Sequence, residues 1–597
     1  MNIKSVEIKE RILQLRQEMK KNGIDGYYIS GTDPHLSEYI PERWKTRAYI
    51  SGFTGSAGSV VVTQNEIALW TDSRYFLQAA MQLEGTEIQL MKMRIEGTLE
   101  PHEWLSSILS NGGIIGIDAQ SISILKYRNF SNSLKKEKLS LKNAGDLLNR
   151  IWINRPLLPD YPVFEHELKY AGESRLKKID SIRKKMQGKK VDATIISALD
   201  DLAWTFNLRG NDVKYNPVFI GYSLITDKNI SLYINSTKVP DTIREKLKKD
   251  KIEIKPYEKI FEDLKQIKGR IMIDPERTNQ SLLECISINN EILEEISIPD
   301  MLKSIKSDFE LKNIRETLKR DGVAMIDFLF WLYNNAGKKV FTDYDVALKL
   351  DYFRSMQKGY KGMSFWPVVG YKDLGAIVHL NVTKYFQHEI KKEGMLLFDS
   401  GGQYTSGTTD ITRTITLNKA TSEQKKDFTI VLKGTIGIAN AKFPSGTKGH
   451  NIDILARKAL WDNNMNYGHG TCHGIGYFSN VHEGPMDIRQ EYNDYDLRPG
   501  MVLSDEPGFY REGHYGIRIE NMIVCVKREK TEYGQFYGFD TLTLCPIDQN
   551  LINTKLLNTE EIKWIDEYHQ HCFDELSPLI KNNEEKNFLK KLTEKIR

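Results

Sequence analysis

At 597 residues, with 27% charged and 40% hydrophobic side chains, the chain has ordinary globular composition and is too long for one core, so several domains are expected. A net charge of +4, with Lys and Arg interspersed among Asp and Glu, offers no basic stripe for nucleic acid, and no apolar run is long enough to span a bilayer. The five cysteines (Cys285, Cys472, Cys525, Cys545 and Cys572) are scattered and odd in number, which argues for reduced thiols; with no signal-peptide pattern at the start, a cytoplasmic address is expected.

The first residues, MNIKSVEIKERILQLRQEMKKNG, predict an amphipathic charged helix. Its pattern returns. Ile12, Leu15, Arg16, Met19, Asp25, Ile29 and Ser30 reappear at one constant offset as Ile179, Ile182, Arg183, Met186, Asp192, Ile196 and Ser197. Each copy runs from a helical pattern (12–19 or 176–186) through a short turn into an apolar strand (26–30 or 193–197), so each is an α/β unit. The copies match more loosely at YISGFTGSAG (49–58) and WTFNLRGND (204–212).

A third segment starts near Lys303. Ser307 and Glu310 form a capping-box pattern, and Leu311, Ile314, Leu318, Val323, Ile326, Leu329 and Phe330 follow at mostly helical spacing. Met395 to Phe398 read as an apolar strand ending in Asp399, and polar residues at 408, 410, 412, 414 and 416 place Asp410 on the polar face of a half-buried strand. A symmetric hairpin with Gly402 facing Gly407 would set Asp399 directly opposite Asp410, an arrangement of like charges that a bridging cation would explain. Glu506 closes a strand before Pro507-Gly508, and residues 516–526 read as one strand with Arg518, Glu520, Met522, Val524 and Val526 on one face. Arg518 is then positioned to hold a ligand carboxylate. Asn558 with Glu561 starts a predicted helix at 559–576 that docks through Ile562, Ile565, Tyr568, Cys572 and Leu576, and the charged residues 581–597 read as a solvated helix or frayed end.

Asp399, Asp410, His473, Glu506 and Glu520 together offer four carboxylates and one imidazole, a hard-donor set able to hold two divalent ions and to share one activated water between them. His469, His473 and His482 cluster in the Gly-rich GHGTCHGIGYFSNVHEGP, and His379 ends an apolar stretch; the other eight histidines have no such context. The chain has no GxSxG, HExxH or P-loop spacing.

These motifs resemble the aminopeptidase P family, Xaa-Pro aminopeptidases of the three-domain cytosolic type. The resemblance is carried by HLSEYI, SGFTGSAG, LWTDSRYFLQAA, NLRGNDVKYNPVF, GAIVH, DSGGQY, GTTDITRT, HGTCHGIG, NVHEGP, DEPGFY, GIRIEN and LTLCPI across nearly the whole chain. It implies an α/β (α+β) architecture of two creatinase-N-terminal-like α/β domains (1–158 and 159–302) and a pita-bread metallopeptidase domain (303–597) with a helical extension from about 550. It implies that Asp399 binds one metal, that Asp410 and Glu520 bridge both, and that His473 and Glu506 complete the other, the ions usually being manganese. A metal-bridging hydroxide would attack the carbonyl before proline, with Glu506 as general base, His379 and His482 as orienting and proton-shuttling residues, and Phe365 and His469 lining the pocket. Short peptides with penultimate proline are the implied substrates and a homodimer the implied assembly.

One departure lies inside the motif. The family commonly has Gly where Cys472 precedes His473, and a buried, tolerated small residue is the favoured reading. Glu38, Arg47 and Trp204 are candidate substrate contacts from the N-terminal copies. Two alternatives remain: a prolidase-like Xaa-Pro dipeptidase, and a non-catalytic peptide-binding protein, which the retained ligand set opposes.

Overall fold

A computed structural model describes residues 3–596. Packing separates two compact units, one reaching residue 167 and including 173–300, the other comprising 168–172 and the chain from 301 onward. Arg597 and the first two residues of the amino-terminal helical pattern lie outside the described residues. Among the described residues no helix is long and apolar enough to cross a membrane.

In the first unit the helix Ile3–Lys21 carries Ile8, Ile12, Leu15 and Met19 at helical spacing, and all four are buried in the core of the first sheet. That sheet runs in spatial order Gln89–Lys92, Ile67–Thr71, Ser59–Thr63, Gly26–Ile29, Ile114–Ile117, Ser140–Asn143. After the helix Arg175–Lys189 a second sheet repeats the same order with Glu253–Lys255, Ile230–Tyr233, Tyr222–Thr226, Ala193–Ile196, Arg270–Ile273 and Glu291–Glu294. The pairing senses repeat too: in each copy the first strand is antiparallel to one neighbour and parallel to the other.

Equivalent residues of the copies meet reciprocally. Ser123 and Asn279, the N-caps of helices Ile124–Lys136 and Gln280–Cys285, form an antiparallel bridge in which Ile124 N donates to Thr278 O (3.1 Å) and Gln280 N to Ile122 O (3.0 Å). His35 Nδ1 meets Ser197 O at 2.8 Å and its Nε2 meets the Tyr257 hydroxyl at 2.9 Å, so a histidine to which the sequence assigns no role ties the copies together from a buried position.

The second unit begins with the helix Asp308–Asn335, started by the Ser307–Glu310 capping box. A six-stranded sheet (Lys442–Pro444, Gly534–Thr541, Asn521–Thr531, Val502–Asp505, Cys472–Gly474, Glu483–Ile488) has two apolar faces. Val502, Met522 and Val524 pack on Ile314 and Leu318 of the long helix, while Leu503, Ile523 and Cys525 pack on Ile438 and Ala456 of helices Ser422–Ala439 and Ile454–Trp461. A smaller sheet, Val368–Tyr371, Met395–Ser400 and Ile411–Thr416, lies beside it. The helix Thr559–Leu576 starts at the Asn558–Glu561 capping box. The tail departs from the expected solvated end: helix Asn583–Leu592 buries Leu589 and sets Phe588 against Phe330 and Tyr333.

Candidate metal centre

Asp399 lies near the end of the strand Met395–Ser400, which pairs with Ile411–Thr416 so that Asp399 faces Thr412 and Ser400 faces Ile411. The sequence had placed Asp410 opposite Asp399. The turn is tighter than the symmetric hairpin allowed, with Tyr404 facing Gly407 and only Thr405 and Ser406 between them. The register therefore slips by two residues, and a slip of two keeps every side chain on its face. Asp410 becomes the diagonal neighbour of Asp399, leaving room between the carboxylates. Gly401 permits the crossover, because a Cβ there would lie 1.8 Å from Thr409 O.

The second pair comes from the large sheet. The expected single strand at 516–526 is divided into Tyr515–Arg518 and Asn521–Thr531. Glu520 sits at the break, its N donating to Thr412 O (3.1 Å). Asp505 faces Asn521 in the ladder, so Glu506 and Glu520 follow as the next opposed pair at its end. His473 enters from the neighbouring strand Cys472–Gly474 and is fixed by its N–H on Ser504 Oγ (3.0 Å).

These residues converge. Ligand atoms of Asp410, His473 and Glu520 lie within 4.8 Å of one another, and His473 Nε2 is 3.5 Å from both Asp410 Oδ2 and Glu506 Oε1. His473 Nδ1 meets Gly474 O at 2.9 Å, a bond that selects the tautomer presenting the Nε2 lone pair to the carboxylates. Arg518 places Nη2 on Asp399 Oδ2 (2.6 Å), Nη1 on the Tyr510 hydroxyl (2.7 Å) and Nε on Thr412 Oγ1 (3.1 Å), and Thr412 Oγ1 donates to Glu520 Oε2 (2.8 Å).

The residues fit a pair of divalent cations. Asp399 Oδ1 is buried without a hydrogen-bond partner. Burial raises all four carboxyls: Asp399 to about 6, against the pull of Arg518; Asp410 and Glu506 to about 7; and Glu520 well above the usual range, with Asp410, Asp399 and Glu506 repelling its charge. Four carboxylates and one guanidinium sum to −3, which two divalent ions bring to within one charge of neutrality.

Around this centre His482 stands edge-on to His473 with ring centroids 4.3 Å apart. His469 Nε2 meets the Tyr510 hydroxyl at 2.8 Å, and its loop is strapped by Arg457, whose guanidinium donates to Tyr467 O and His469 O (2.8 Å each). The segment carrying His379 approaches through Val378 O, 3.4 Å from Arg518 Nη1. Phe365 is buried beside Ser364, whose hydroxyl donates to Thr409 O (2.9 Å). Cys472 is buried in the core with Ile438, Met486 and Leu503, and burial raises its thiol well above the ordinary range, which matches an inert packing residue. Of the N-terminal candidates, Arg47 is buried and donates to the carbonyls of Gly55 and Gly58, Trp204 lies under the Lys178 ammonium (4.5 Å), and Glu38 is exposed.

Sequence reasoning missed Tyr510, which joins His469 to Arg518, and Ser504 and Thr412, which hold His473 and Glu520. Thr412 was visible on the polar face shared with Asp410. Tyr510 lies in the DEPGFY motif, but its contacts cross between strands and the motif alone does not show them.

Comparison with known proteins follows the same divisions. Residues 11–151 and 154–310 match the creatinase/prolidase N-terminal domain, 312–527 match metallopeptidase family M24, and 535–596 match the C-terminal region of peptidase M24. The chain is 39% identical to a probable Xaa-Pro aminopeptidase P of Talaromyces stipitatus over 100% of its own length and 93% of that protein's. It is 38% identical to one of Aspergillus niger, with 98% of each chain covered. Among solved structures it is similar to the X-prolyl aminopeptidase of Caenorhabditis elegans, described as a cytosolic enzyme with a di-nuclear active site, at 31% identity and a TM-score of 0.94 over 99% of this chain and 100% of that one.

Proposed function

The chain belongs to metallopeptidase family M24, on its Xaa-Pro aminopeptidase P branch, and we propose that it is a dinuclear-metal Xaa-Pro aminopeptidase releasing the residue before a penultimate proline. The observation that carries this reading is the convergence of Asp410, His473 and Glu520, with Asp399 and Glu506 beside them, in a chain similar to such enzymes along its full length. In this reading Asp399, Asp410, His473, Glu506 and Glu520 would hold the two ions, and Arg518 would keep the Asp399 carboxylate in place through its 2.6 Å hydrogen bond. Two divalent ions supply an activated water and electrophilic stabilisation of the oxygen charge that develops on the scissile carbonyl.

The chain's own groups do the remaining work. Glu506, raised to about 7 by burial, takes the proton of the attacking water and returns it to the departing prolyl nitrogen, as the new C–O bond forms and the C–N bond breaks. His379 and His482 orient the substrate carbonyl and relay protons. Phe365 and the His469–Tyr510 pair give an aromatic wall that suits a proline ring, whose nitrogen brings no N–H to be satisfied. Manganese is the proposed ion on the grounds of four oxygen donors with one nitrogen. We further propose three domains, 1–158, 159–302 and 303–597, and a homodimer acting in the cytoplasm on short peptides.

The test is release of arginine from Arg-Pro-Pro by chelator-stripped protein with and without manganese, comparing wild type with Asp410→Ala. Manganese-dependent cleavage that the substitution abolishes supports the reading; no cleavage with any divalent ion by folded wild type overturns it. Hydrolysis confined to Xaa-Pro dipeptides would move the assignment to a dipeptidase.

A further inference from the structure

Glu520 occupies an awkward place in the backbone. It lies between two strands, outside the regular ladder of either, so its carboxylate direction depends on what grips its peptide groups. Its N–H is held by Thr412 O, and its carbonyl accepts from Arg413 Nη1 at 2.7 Å. Arg413 is 1% exposed, and its remaining bonds run to Thr412 O (2.9 Å), Asn521 Oδ1 (2.8 Å), Cys545 O (2.7 Å), Pro546 O (3.2 Å) and the Tyr568 hydroxyl (2.8 Å). Every one of these acceptors is uncharged. A buried guanidinium without a carboxylate partner is held only by the number and direction of its hydrogen bonds, which makes each of them count.

Tyr568 belongs to the C-terminal helix Thr559–Leu576. Its hydroxyl also donates to Cys545 O (2.8 Å) and lies 3.3 Å from Asn521 Oδ1, the side chain that follows Glu520. The helix is anchored independently by His569 Nε2, which accepts from Ile547 N (3.1 Å), and by Lys433 on Glu561 (2.7 Å). The Tyr568 hydroxyl thus reaches from the buried face of this helix to the fork that grips Glu520 and Thr412.

We propose that the C-terminal helix braces the metal centre, with Tyr568 a positioning residue that acts through Arg413 on Glu520; the proposal rests on the metallopeptidase reading above. The C-terminal region then serves metal binding directly, besides covering the core. Groups behind metal ligands commonly govern affinity by one to two orders of magnitude.

The experiment is calorimetric titration of manganese(II) into chelator-stripped full-length protein, with melting temperature and Arg-Pro-Pro kinetics on the same samples. For wild type two ions per chain are expected. Tyr568→Phe, which keeps the ring, is expected to melt near wild type, to bind one ion about tenfold more weakly, and to lose kcat with KM unchanged. Glu561→Gln removes an anchor of the same helix without touching the fork, and is expected to lower the melting temperature with both affinities intact. If Tyr568→Phe does not fold, Arg413→Lys, which keeps the charge and loses the fork, carries the same expectation. Two ions bound by Tyr568→Phe with wild-type affinities, or losses in it that Glu561→Gln reproduces, overturn the brace while leaving the metallopeptidase reading intact. Wild type that binds no manganese overturns that reading and the brace with it.

Discussion

Thr412 carries a single hydroxyl between a buried cation and a buried anion, accepting from Arg518 Nε and donating to Glu520 Oε2. Valine has the same shape and neither function, so Thr412→Val leaves a buried donor of Arg518 unmatched and frees the Glu520 carboxylate to rotate. We expect manganese affinity to fall about tenfold, with Thr412→Ser retaining most of it; a competition titration against a chelating dye reads both. A Val variant with unchanged affinity would show that strand geometry alone aims Glu520. This residue also marks the limit of what the chain alone reveals. Alternation at period two exposed the face carrying Thr408, Asp410, Thr412 and Thr414, because a strand's periodicity is local. The bonds from Thr412 to Arg518 and Glu520 are set by strand pairing between positions more than a hundred residues apart in the chain, and no local pattern encodes them.

Between elements, Asp321 of the helix Asp308–Asn335 is the pillar under the metal hairpin. Its Oδ1 accepts from Arg354 Nε (2.8 Å) of helix Asp343–Ser355, from the Tyr404 hydroxyl (2.9 Å) and from Thr409 Oγ1 (2.9 Å), the residue before Asp410. Arg354→Met strips this carboxylate of its buried cation, and we expect a loss of about 3–5 kcal/mol, seen as a fall in melting temperature of metal-free protein. The C-terminal helix supplies a pH dependence. Burial, then the nearby Arg413 charge, lower His569 to about 4, so it is neutral when folded and accepts from Ile547 N. In the unfolded chain it titrates near 6.5, so its full stabilisation is present above that pH and is lost as pH falls toward 4, at about 1.4 kcal/mol per unit. Between pH 7 and 5 His569→Gln should therefore lose about 2 kcal/mol less stability than wild type, measured by thermal denaturation at both pH values. An equal slope in the two proteins would assign the acid sensitivity to other groups. At this scale the sequence was legible where signals are local: the capping boxes at Ser307 and Asn558 and the strand Met395–Ser400 that carries Asp399; the half-buried strand expected at 408–416 is instead interrupted at Thr409 and Asp410 and buried throughout, its polar residues meeting other protein groups in place of water. The hairpin register was not, because a tight turn at Thr405 and Ser406 and a wider one present the same alternation. Nor was the docking of Phe588 on Phe330 and Tyr333, since a strongly charged tail conceals two apolar contacts.

Across the whole molecule the two units carry separate cores, that of the first around Ile12, Val60 and Leu69, that of the second around Leu503, Ile523 and Cys525. All five proposed ligands belong to the second unit. An ion that binds only the folded centre stabilises it by about 2.7 kcal/mol when present at 100 times its dissociation constant, and this free energy acts on whichever openings separate the ligands. Opening the second unit parts Asp399 and Asp410 from Glu506 and Glu520, because they come from different sheets. Opening the duplicated sheets of the first unit parts none of them. We therefore expect manganese to slow amide exchange in the intact chain at 395–416, 472–474 and 502–526, and to leave exchange in the strands Ser59–Thr63 and Tyr222–Thr226 unchanged. Peptide-level exchange measured by mass spectrometry with and without manganese reads both regions in one sample. Protection gained equally in both units would mean that they unfold as one cooperative block, so that the reciprocal bridge at Ser123 and Asn279 belongs to a structure stabilised by the metal as a whole.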